Sequence, residues 1–207
     1  TVYYNKRRSR WEALTIMPQM YLYSEVDHFY KKKQSIRFTN NEIESGYLAR
    51  IQKKVFTKFN EVVFENNLLQ NCTGLLAAND STIIESFKFT RNTVKNGSLE
   101  MSSLGNVSKS VRSLNVSGNT FYADLPVFYS LAASESLKFE DNIFNKNNDL
   151  NTNAVTGIAA PDYSIYLKGY TGQQMTIHGN QFVAEMTKAG IIEIINPDKV
   201  TISNNLF

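Results

Sequence analysis

The chain has 207 residues, of which 42% are hydrophobic and 20% are charged, and its formal net charge at neutral pH is +3. This composition is typical of an ordered domain and excludes an intrinsically disordered chain. A single cysteine, Cys72, excludes an internal disulfide framework, and no apolar run is long enough to cross a bilayer.

One short pattern recurs from the beginning of the chain to its end. Two apolar residues stand two positions apart, an Asn follows three positions later, and a large apolar residue follows two positions after the Asn. The clearest copy is LNVSGNTF at residues 114–121. Successive copies are 22, 26, 25, 27, 23, 38 and 25 residues apart, which indicates a repeat architecture. The Asn position is held by Asn41, Asn67, Asn92, Asn119, Asn142, Asn180 and Asn205, with Gln19 in a weaker first copy.

Each copy predicts the same sequence of local structures. Apolar residues two positions apart indicate a strand rather than a helix. The Asn suits a sharp corner, because Asn tolerates left-handed backbone angles and can hydrogen-bond nearby backbone. The apolar residue after the corner points back inside, and a further apolar run follows before the next copy. We therefore expect a strand, a tight corner, a short strand, a variable loop and a third strand in each repeat.

This combination resembles the right-handed parallel β-helix of the pectin-lyase-like superfamily, across residues 14–207. The resemblance implies an all-β solenoid of about eight coils of about 25 residues, with one Asn per coil stacked at a corner. Amides at the strand spacing of about 4.8 Å can hydrogen-bond to one another, so we expect an Asn ladder that Gln19 extends imperfectly. The alternative fold is a leucine-rich repeat solenoid, whose signature also places an Asn among spaced apolar residues. The irregular steps and the strand-like runs after each Asn favour the β-helix.

The chain shows no boundary between domains, so we treat residues 1–207 as a single β-helix segment. It begins and stops within repeats, and neither end shows the polar cap that a terminal coil needs. We expect the segment to be part of a longer chain cut at both ends. The step of 38 residues contains a polar stretch at residues 145–157, which predicts a protruding loop.

Positive charge is concentrated in the first part of the chain. Residues 1–60 carry 12 Lys and Arg against 5 Asp and Glu, a net charge of +7, and the remainder carries 10 against 14, a net charge of −4. The basic clusters recur about one repeat apart, so we expect them to stack on one side of adjacent coils. With nearby aromatic residues they predict a groove for an acidic polysaccharide or another polyanion. The other interpretation is solvated loops, or contact with a neighbouring domain or subunit. The candidate residues are Lys6, Arg7, Arg8, Arg10, Lys31, Lys32, Lys33, Lys53 and Lys54, with Trp11, Tyr23 and Tyr30.

The sequence assigns no catalytic residue. The outward positions of the strand before each corner, such as Val63 and His178, are mainly polar or β-branched and predict a solvated sheet face. No carboxylate pair, no Ser/His/Asp set and no metal-ligand spacing is visible, so neither a cofactor nor a metal is identified. Whether the protein is an enzyme stays open. The resemblance implies that an enzyme of this fold would be a polysaccharide lyase or a glycoside hydrolase.

Two functions fit these observations. The first is a domain of a secreted, cell-surface or virion protein that binds or processes polysaccharide, with acidic polysaccharide included. The alternative is a non-catalytic scaffold, adhesin or tailspike-like stalk in a larger assembly, with protein partners or copies of itself. Nucleic acid is disfavoured, because the sequence pI of about 8.8 is modest and no nucleic-acid-binding motif occurs. The abundance of Asn, Lys and Phe suggests a bacterial or phage source.

Overall fold

The computed structural model describes thirteen stretches of the chain, and the regular structure within them is β-strand, which confirms the predicted all-β class. The described residues are 15–16, 35–47, 50–51, 57–73, 76–78, 82–95, 101–103, 111–122, 127–145, 165–171, 174–183, 192–195 and 198–207. Their twenty strands are β1 (Thr15–Ile16), β2 (Ser35–Thr39), β3 (Glu42–Tyr47), β4 (Arg50–Ile51), β5 (Thr57–Glu65), β6 (Leu68–Thr73), β7 (Leu76–Ala78), β8 (Thr82–Thr90), β9 (Thr93–Lys95), β10 (Met101–Ser103), β11 (Val111–Ser117), β12 (Thr120–Tyr122), β13 (Val127–Ala133), β14 (Ser136–Glu140), β15 (Ile143–Asn145), β16 (Ile165–Thr171), β17 (Gln174–His178), β18 (Gln181–Val183), β19 (Ile192–Ile195) and β20 (Lys199–Ser203).

The strands join four parallel sheets in a fixed rotation along the chain. Sheet 1 has the order β2-β5-β8-β11-β14-β17-β20, and sheet 2 has the order β3-β6-β9-β12-β15-β18. Sheet 3 contains β1-β4-β7-β10, and sheet 4 contains β13-β16-β19. The first six strands of sheet 1 are each followed by a strand of sheet 2, which builds a second parallel sheet from the residues after the Asn, and Leu206 after β20 adds a single bridge to Gln181. This order is compatible with a parallel β-helix. It does not fit a leucine-rich repeat, where a helix or an irregular segment would follow the Asn.

The apolar residues of the repeat pack in register between the sheets, as their spacing predicts. The second apolar position of the repeat is completely buried on five neighbouring strands of sheet 1, and pairing keeps its copies side by side. After the corner, Phe144 stacks between Phe121 and Phe182, with ring centroids 5.0 and 4.9 Å apart. Burying each such side chain contributes about 1.5–3 kcal/mol. The five buried residues in sheet 1 are Phe64, Phe89, Val116, Phe139 and Ile177.

The predicted Asn ladder occupies the corner between sheets 1 and 2. At Asn119, the backbone N–H and Nδ2 both donate to Asn142 Oδ1, at 3.1 and 2.9 Å. Its Nδ2 also donates to Phe89 O at 2.9 Å, and its Oδ1 accepts from the backbone N–H and Nδ2 of Asn92 at 2.8 and 3.2 Å. Every polar atom of this buried amide therefore has partners, which offsets the cost of removing it from water. The same pair of bonds joins Asn41, Asn67, Asn92, Asn119, Asn142, Asn180 and Asn205 in order.

The corner bends one residue earlier than the sequence analysis expected. The left-handed backbone conformation belongs to the residue before each ladder Asn, with φ between 54° and 66°, and not to the ladder Asn itself. In six of the seven such residues, all but Asn204, the N–H donates to a carbonyl of the following repeat, for example from Gly118 to Glu140 at 3.0 Å. The ladder Asn is thereby free to turn its amide into the corner. The left-handed residues are Asn40, Asn66, Arg91, Gly118, Asp141, Gly179 and Asn204.

The long step of 38 residues does not interrupt this register. Asn142 donates to Asn180 Oδ1 from its backbone N–H at 3.0 Å and from Nδ2 at 2.9 Å. Phe144 pairs with Phe182 in sheet 2. The additional residues therefore lie in the connection between β15 and β16, and the predicted protruding loop falls there, outside the described residues apart from Asn145.

The weaker first copy does not lie in the sheet that its pattern predicts. Its alignment with the other copies predicts that the strand before Gln19 belongs to sheet 1. The structure instead pairs Thr15 with Arg50 and Ile16 with Ile51 in sheet 3. A strand of two residues carries too little pattern to identify its sheet from sequence alone. Gln19 itself lies outside the described residues, so the ladder of the described chain begins at Asn41.

Candidate functional site

Sheet 1 has the most strands of the four sheets, and its outer face carries charged and nucleophilic side chains. Three rows of residues run across its strands, because the parallel register places equivalent residues of successive repeats side by side. The distal row contains Ser35, Glu61, Ser86, Ser113, Ser136, Gln174 and Lys199. The middle row contains Arg37, Val63, Lys88, Asn115, Lys138, Thr176 and Thr201. The corner row contains Thr39, Glu65, Thr90, Ser117, Glu140, His178 and Ser203.

Two cations converge on Glu61. Arg37 Nη2 donates to Glu61 Oε2 at 3.1 Å, and Lys88 Nζ donates to Glu61 Oε1 at 2.5 Å. The hydrogen bond from Lys88 is the main cause that holds the pKa of Glu61 below its ordinary range. Val63 lies between Arg37 and Lys88 in the middle row and is only 3% exposed. The expectation that Val63 is solvated is therefore wrong, because the long side chains that reach Glu61 cover it.

A second ion-pair group surrounds Glu85. Lys58 Nζ lies 2.6 Å from Glu85 Oε1, and Arg112 Nη1 donates to Glu85 Oε2 at 3.0 Å. Glu85 Oε1 accepts no hydrogen bond of good geometry, so charge attraction holds its contact with Lys58. This contact is the main cause that holds the pKa of Glu85 below its ordinary range. Arg112 Nε also lies 3.7 Å from Glu135 Oε1, which extends the group to the next repeat.

Arg91, at the corner, completes the charge pairing on this side of the sheet. Its guanidinium donates to Glu65 and, through Nε, to Asn66 Oδ1 at 3.3 Å. The cations Arg37, Lys58, Lys88, Arg91 and Arg112 are thus all engaged by carboxylates of the protein. We call the face of β2, β5, β8 and β11 the paired half. A polyanion that bound there would have to compete with these internal partners.

The outer face of β14, β17 and β20 carries different side chains, and we call this face the open half. Among the described residues, Lys138, Glu140 and His178 form no ion pair. His178 Nδ1 lies 2.9 Å from Ser203 Oγ, so a nucleophilic hydroxyl touches a potential general base. Glu140 on β14 is in register with His178 on the side of His178 away from Ser203. The corner row therefore places an acid, an imidazole and a hydroxyl on three consecutive strands.

Asp141 adds a second carboxylate beside this row. It stands at the left-handed corner position after Glu140, and its backbone N–H donates to His178 O at 2.9 Å. Its carboxylate lies against Gly179, where a Cβ atom would overlap Asp141 Oδ1. Gly179 also has a φ of +66°. Glycine is thus favoured next to His178 for two independent reasons, backbone conformation and space.

The structure brings together residues that the sequence pattern did not group as a site. The expectation that no serine–histidine–acid set exists is corrected in part, because His178 and Ser203 are hydrogen-bonded and Glu140 is in register with them. The signal was available in the repeat itself. All three residues occupy the same repeat position in consecutive copies, and the parallel register therefore places them on neighbouring strands.

The predicted polyanion-binding residues all lie outside the described residues, and their binding role stays a prediction. They are Lys6, Arg7, Arg8, Arg10, Trp11, Tyr23, Tyr30, Lys31, Lys32, Lys33, Lys53 and Lys54.

Within the described stretches, no three His, Cys, Asp or Glu side chains are grouped so that they could hold a metal ion. No helix in the same stretches is long and apolar enough to cross a membrane. Comparison with known proteins found no matching family model, no matching curated protein and no matching solved structure.

Proposed function

We propose that the chain is a right-handed parallel β-helix of about eight coils, of pectin-lyase-like type, that binds or processes polysaccharide in a secreted, cell-surface or virion protein. Three features support the fold: the parallel pairing, the rotation of strands among sheets, and the unbroken ladder from Asn41 to Asn205. An elongated stack of coils offers long, regular surfaces along which a polymer can lie. Acidic polysaccharides are included among the ligands because positive charge is concentrated in residues 1–60.

The observation that carries the ligand class is the uneven distribution of charge along the sequence. Residues 1–60 hold 12 of the 22 Lys and Arg residues. Of these, Arg37 and Lys58 are already neutralised by Glu61 and Glu85, which lie outside that segment. The segment has only 5 carboxylate residues of its own. Its remaining cations and the accompanying aromatic side chains form the best candidate surface for a negatively charged glycan.

The test is binding of the chain to an array of neutral and acidic polysaccharides at low and high salt. We expect binding to uronic-acid or sulfated polymers that weakens as salt rises, because ions screen exposed charges beyond about 10 Å at 0.1 M. Replacing Lys31, Lys32 and Lys33 by Ser should reduce that binding at least about tenfold.

A matched control removes three positive charges from the paired half. Replacing Arg37, Lys58 and Arg112 by Ser changes the net charge equally, but these cations already have protein partners. Equal loss of binding in both triple variants would show that only net charge matters and would contradict a local site. No binding to any polysaccharide would remove the proposal.

The second candidate function is a non-catalytic scaffold, adhesin or stalk. It is favoured by the paired half, where charges satisfy each other and leave a regular surface with little affinity for a free ligand. A scaffold should bind protein partners or copies of itself along its length. Sedimentation over a range of concentrations, combined with a negative glycan array, would support this function, whereas a strict monomer that binds glycans would exclude it.

A further inference from the structure

We propose that Ser203 and His178 form a nucleophile and base that hydrolyse small esters, with Glu140 positioned to support the imidazole. This activity does not depend on the polysaccharide proposal. It rests on the geometry of the open half, where the three residues occupy one row on β14, β17 and β20.

The contact between the nucleophile and the base is direct. Ser203 Oγ lies 2.9 Å from His178 Nδ1, within the range for proton transfer between a hydroxyl and a general base. If the serine hydroxyl donates in this bond, Nδ1 is the unprotonated nitrogen, and the proton of the neutral ring is on Nε2. Nδ1 then has the role that the base nitrogen plays in serine hydrolases.

An acidic residue occupies the neighbouring position of the row, on the side of His178 away from Ser203. Glu140 is the register neighbour of His178 on β14, one strand spacing of about 4.8 Å away. Asp141 follows it at the corner, and neither carboxylate is committed to an ion pair with another described residue. Through this register Glu140 is the acidic residue next to the imidazole that accepts the serine proton. The cations on the neighbouring strand segments are Lys138 in the middle row and Lys199 in the distal row.

The pair is accessible from solvent, because His178 and Ser203 are only partly buried on the outer face. Two side chains of the middle row, Thr201 and the exposed Lys138, supply a hydroxyl and an ammonium group near the pair. Either can donate to an oxyanion that develops on a bound ester. The open sheet face favours esters with a small, exposed acyl group, such as an acetyl group on a larger molecule.

The reaction balances with water as the only co-reactant. Ser203 Oγ attacks the ester carbonyl carbon while Nδ1 of His178 takes the hydroxyl proton. The tetrahedral intermediate collapses, the C–O bond to the alcohol breaks, and the imidazolium returns the proton to the leaving alkoxide. Water, deprotonated by His178, then attacks the acyl-Ser203 carbonyl. The C–O bond to Ser203 breaks, the imidazolium returns its proton to Ser203 Oγ, and the carboxylic acid is released.

The experiment uses the full chain with two probes, a fluorophosphonate that labels reactive serines and p-nitrophenyl acetate. We expect covalent label on Ser203, located by peptide mass, and an initial burst of nitrophenol. The labelling rate should fall in acid, because a protonated imidazole cannot accept the serine proton. Ser203→Ala should abolish the label, and His178→Gln should slow labelling at least about 100-fold.

Two further variants separate chemistry from structure. Glu140→Gln should lower the labelling rate several-fold and change its pH profile, while the label stays on Ser203. Ser117→Ala removes a serine of the same row that lies between Thr90 and Glu140 and has no histidine neighbour, so the rate should not change. Circular dichroism of each variant checks the fold. Absence of label on Ser203 in the unmodified chain, or equal labelling in His178→Gln, would overturn the proposal.

Discussion

The inner corner and the outer face of sheet 1 are built on the same strands but follow opposite rules. At the corner, seven repeats carry the same residue with the same partners, and five of the seven Asn side chains are at most 2% exposed. On the outer face the residues change from strand to strand, from ion pairs around Glu61 and Glu85 to the pair of His178 and Ser203. Side chains that stack at the corner must be alike to hydrogen-bond to one another, whereas side chains that face solvent can differ from strand to strand. Departures from the repeat on the outer face are therefore the places where function can be sought.

The largest expected effect comes from removing one rung of the ladder. Asn119→Ala deletes two donated and two accepted hydrogen bonds and removes the acceptor of the backbone N–H and of one side-chain N–H of Asn92 in the interior. Since each unsatisfied buried polar group costs about 1–3 kcal/mol, we expect a loss of about 3–5 kcal/mol in the free energy of unfolding, measured by urea denaturation.

The matched control for this variant is Asn115→Ala, on the outer face of the same region. Asn115 Oδ1 has no hydrogen-bond partner among the described groups, so the change should stay within about 0.5 kcal/mol. Similar losses in the two variants would show that the corner and the outer face do not differ in the way described above.

A smaller effect is expected at the glycines of the left-handed corner row. Gly118→Ala should cost about 1–2 kcal/mol, because alanine is strained at a φ of +64°. Gly179→Ala should cost about 1 kcal/mol more, since its Cβ would also overlap the Asp141 carboxylate. Thermal or urea unfolding of both variants measures the difference.

This prediction is sharpened by a double-mutant cycle. In an Asp141→Gly background, Gly179→Ala should lose its additional cost and match Gly118→Ala. An unchanged difference between the two glycine sites would contradict the overlap and would assign the extra cost to the backbone alone.

The smallest effect is expected in the paired half and depends on pH. Because Glu61 and Glu85 have folded-state pKa values below their ordinary range, their ion pairs stabilise the fold fully above the unfolded value of about 4.3. That contribution is lost as the pH falls through the lower folded-state pKa values. Both side chains are partly exposed, so each should contribute at most about 1 kcal/mol.

The measurement is unfolding free energy from pH 7 to pH 3 for the unmodified chain and for a Glu61→Gln, Glu85→Gln variant. The variant should be less stable at neutral pH and should lose less stability toward acid. Identical acid dependence of the two proteins would show that these carboxylates do not control the acid stability of the paired half.

The fold was largely predictable because its strongest determinants are local and repeated. Fixed offsets around Asn67, Asn92, Asn119 and Asn142 identified the buried rows, and the long step before Asn180 was correctly assigned to a single repeat. The left-handed residue of each corner lies one position before the predicted one. The prediction failed because Asn is common both in left-handed positions and in ladders. The strand at Thr15 was assigned to the wrong sheet because two residues do not define a register.

The outer face was harder to predict because its properties arise between repeats. Val63 is buried by arginine and lysine side chains from neighbouring strands, which a pattern along one strand does not reveal. The contact of His178 with Ser203 joins residues 25 positions apart. Repeat positions identify such neighbours once the register is known. The direction in which two side chains turn toward each other requires their coordinates.

The ladder also has a direction. In each of the six links between Asn41 and Asn205, the backbone N–H and Nδ2 of one Asn donate to Oδ1 of the Asn in the following repeat. The side-chain dipoles along the six links therefore point the same way and polarise one another, as in other hydrogen-bonded chains. One consequence is a small electrostatic asymmetry along the stacking axis, with N–H groups directed toward the β20 side. A second is that the loss of a central rung divides one polarised chain into two shorter ones, so Asn119 should matter more than Asn41.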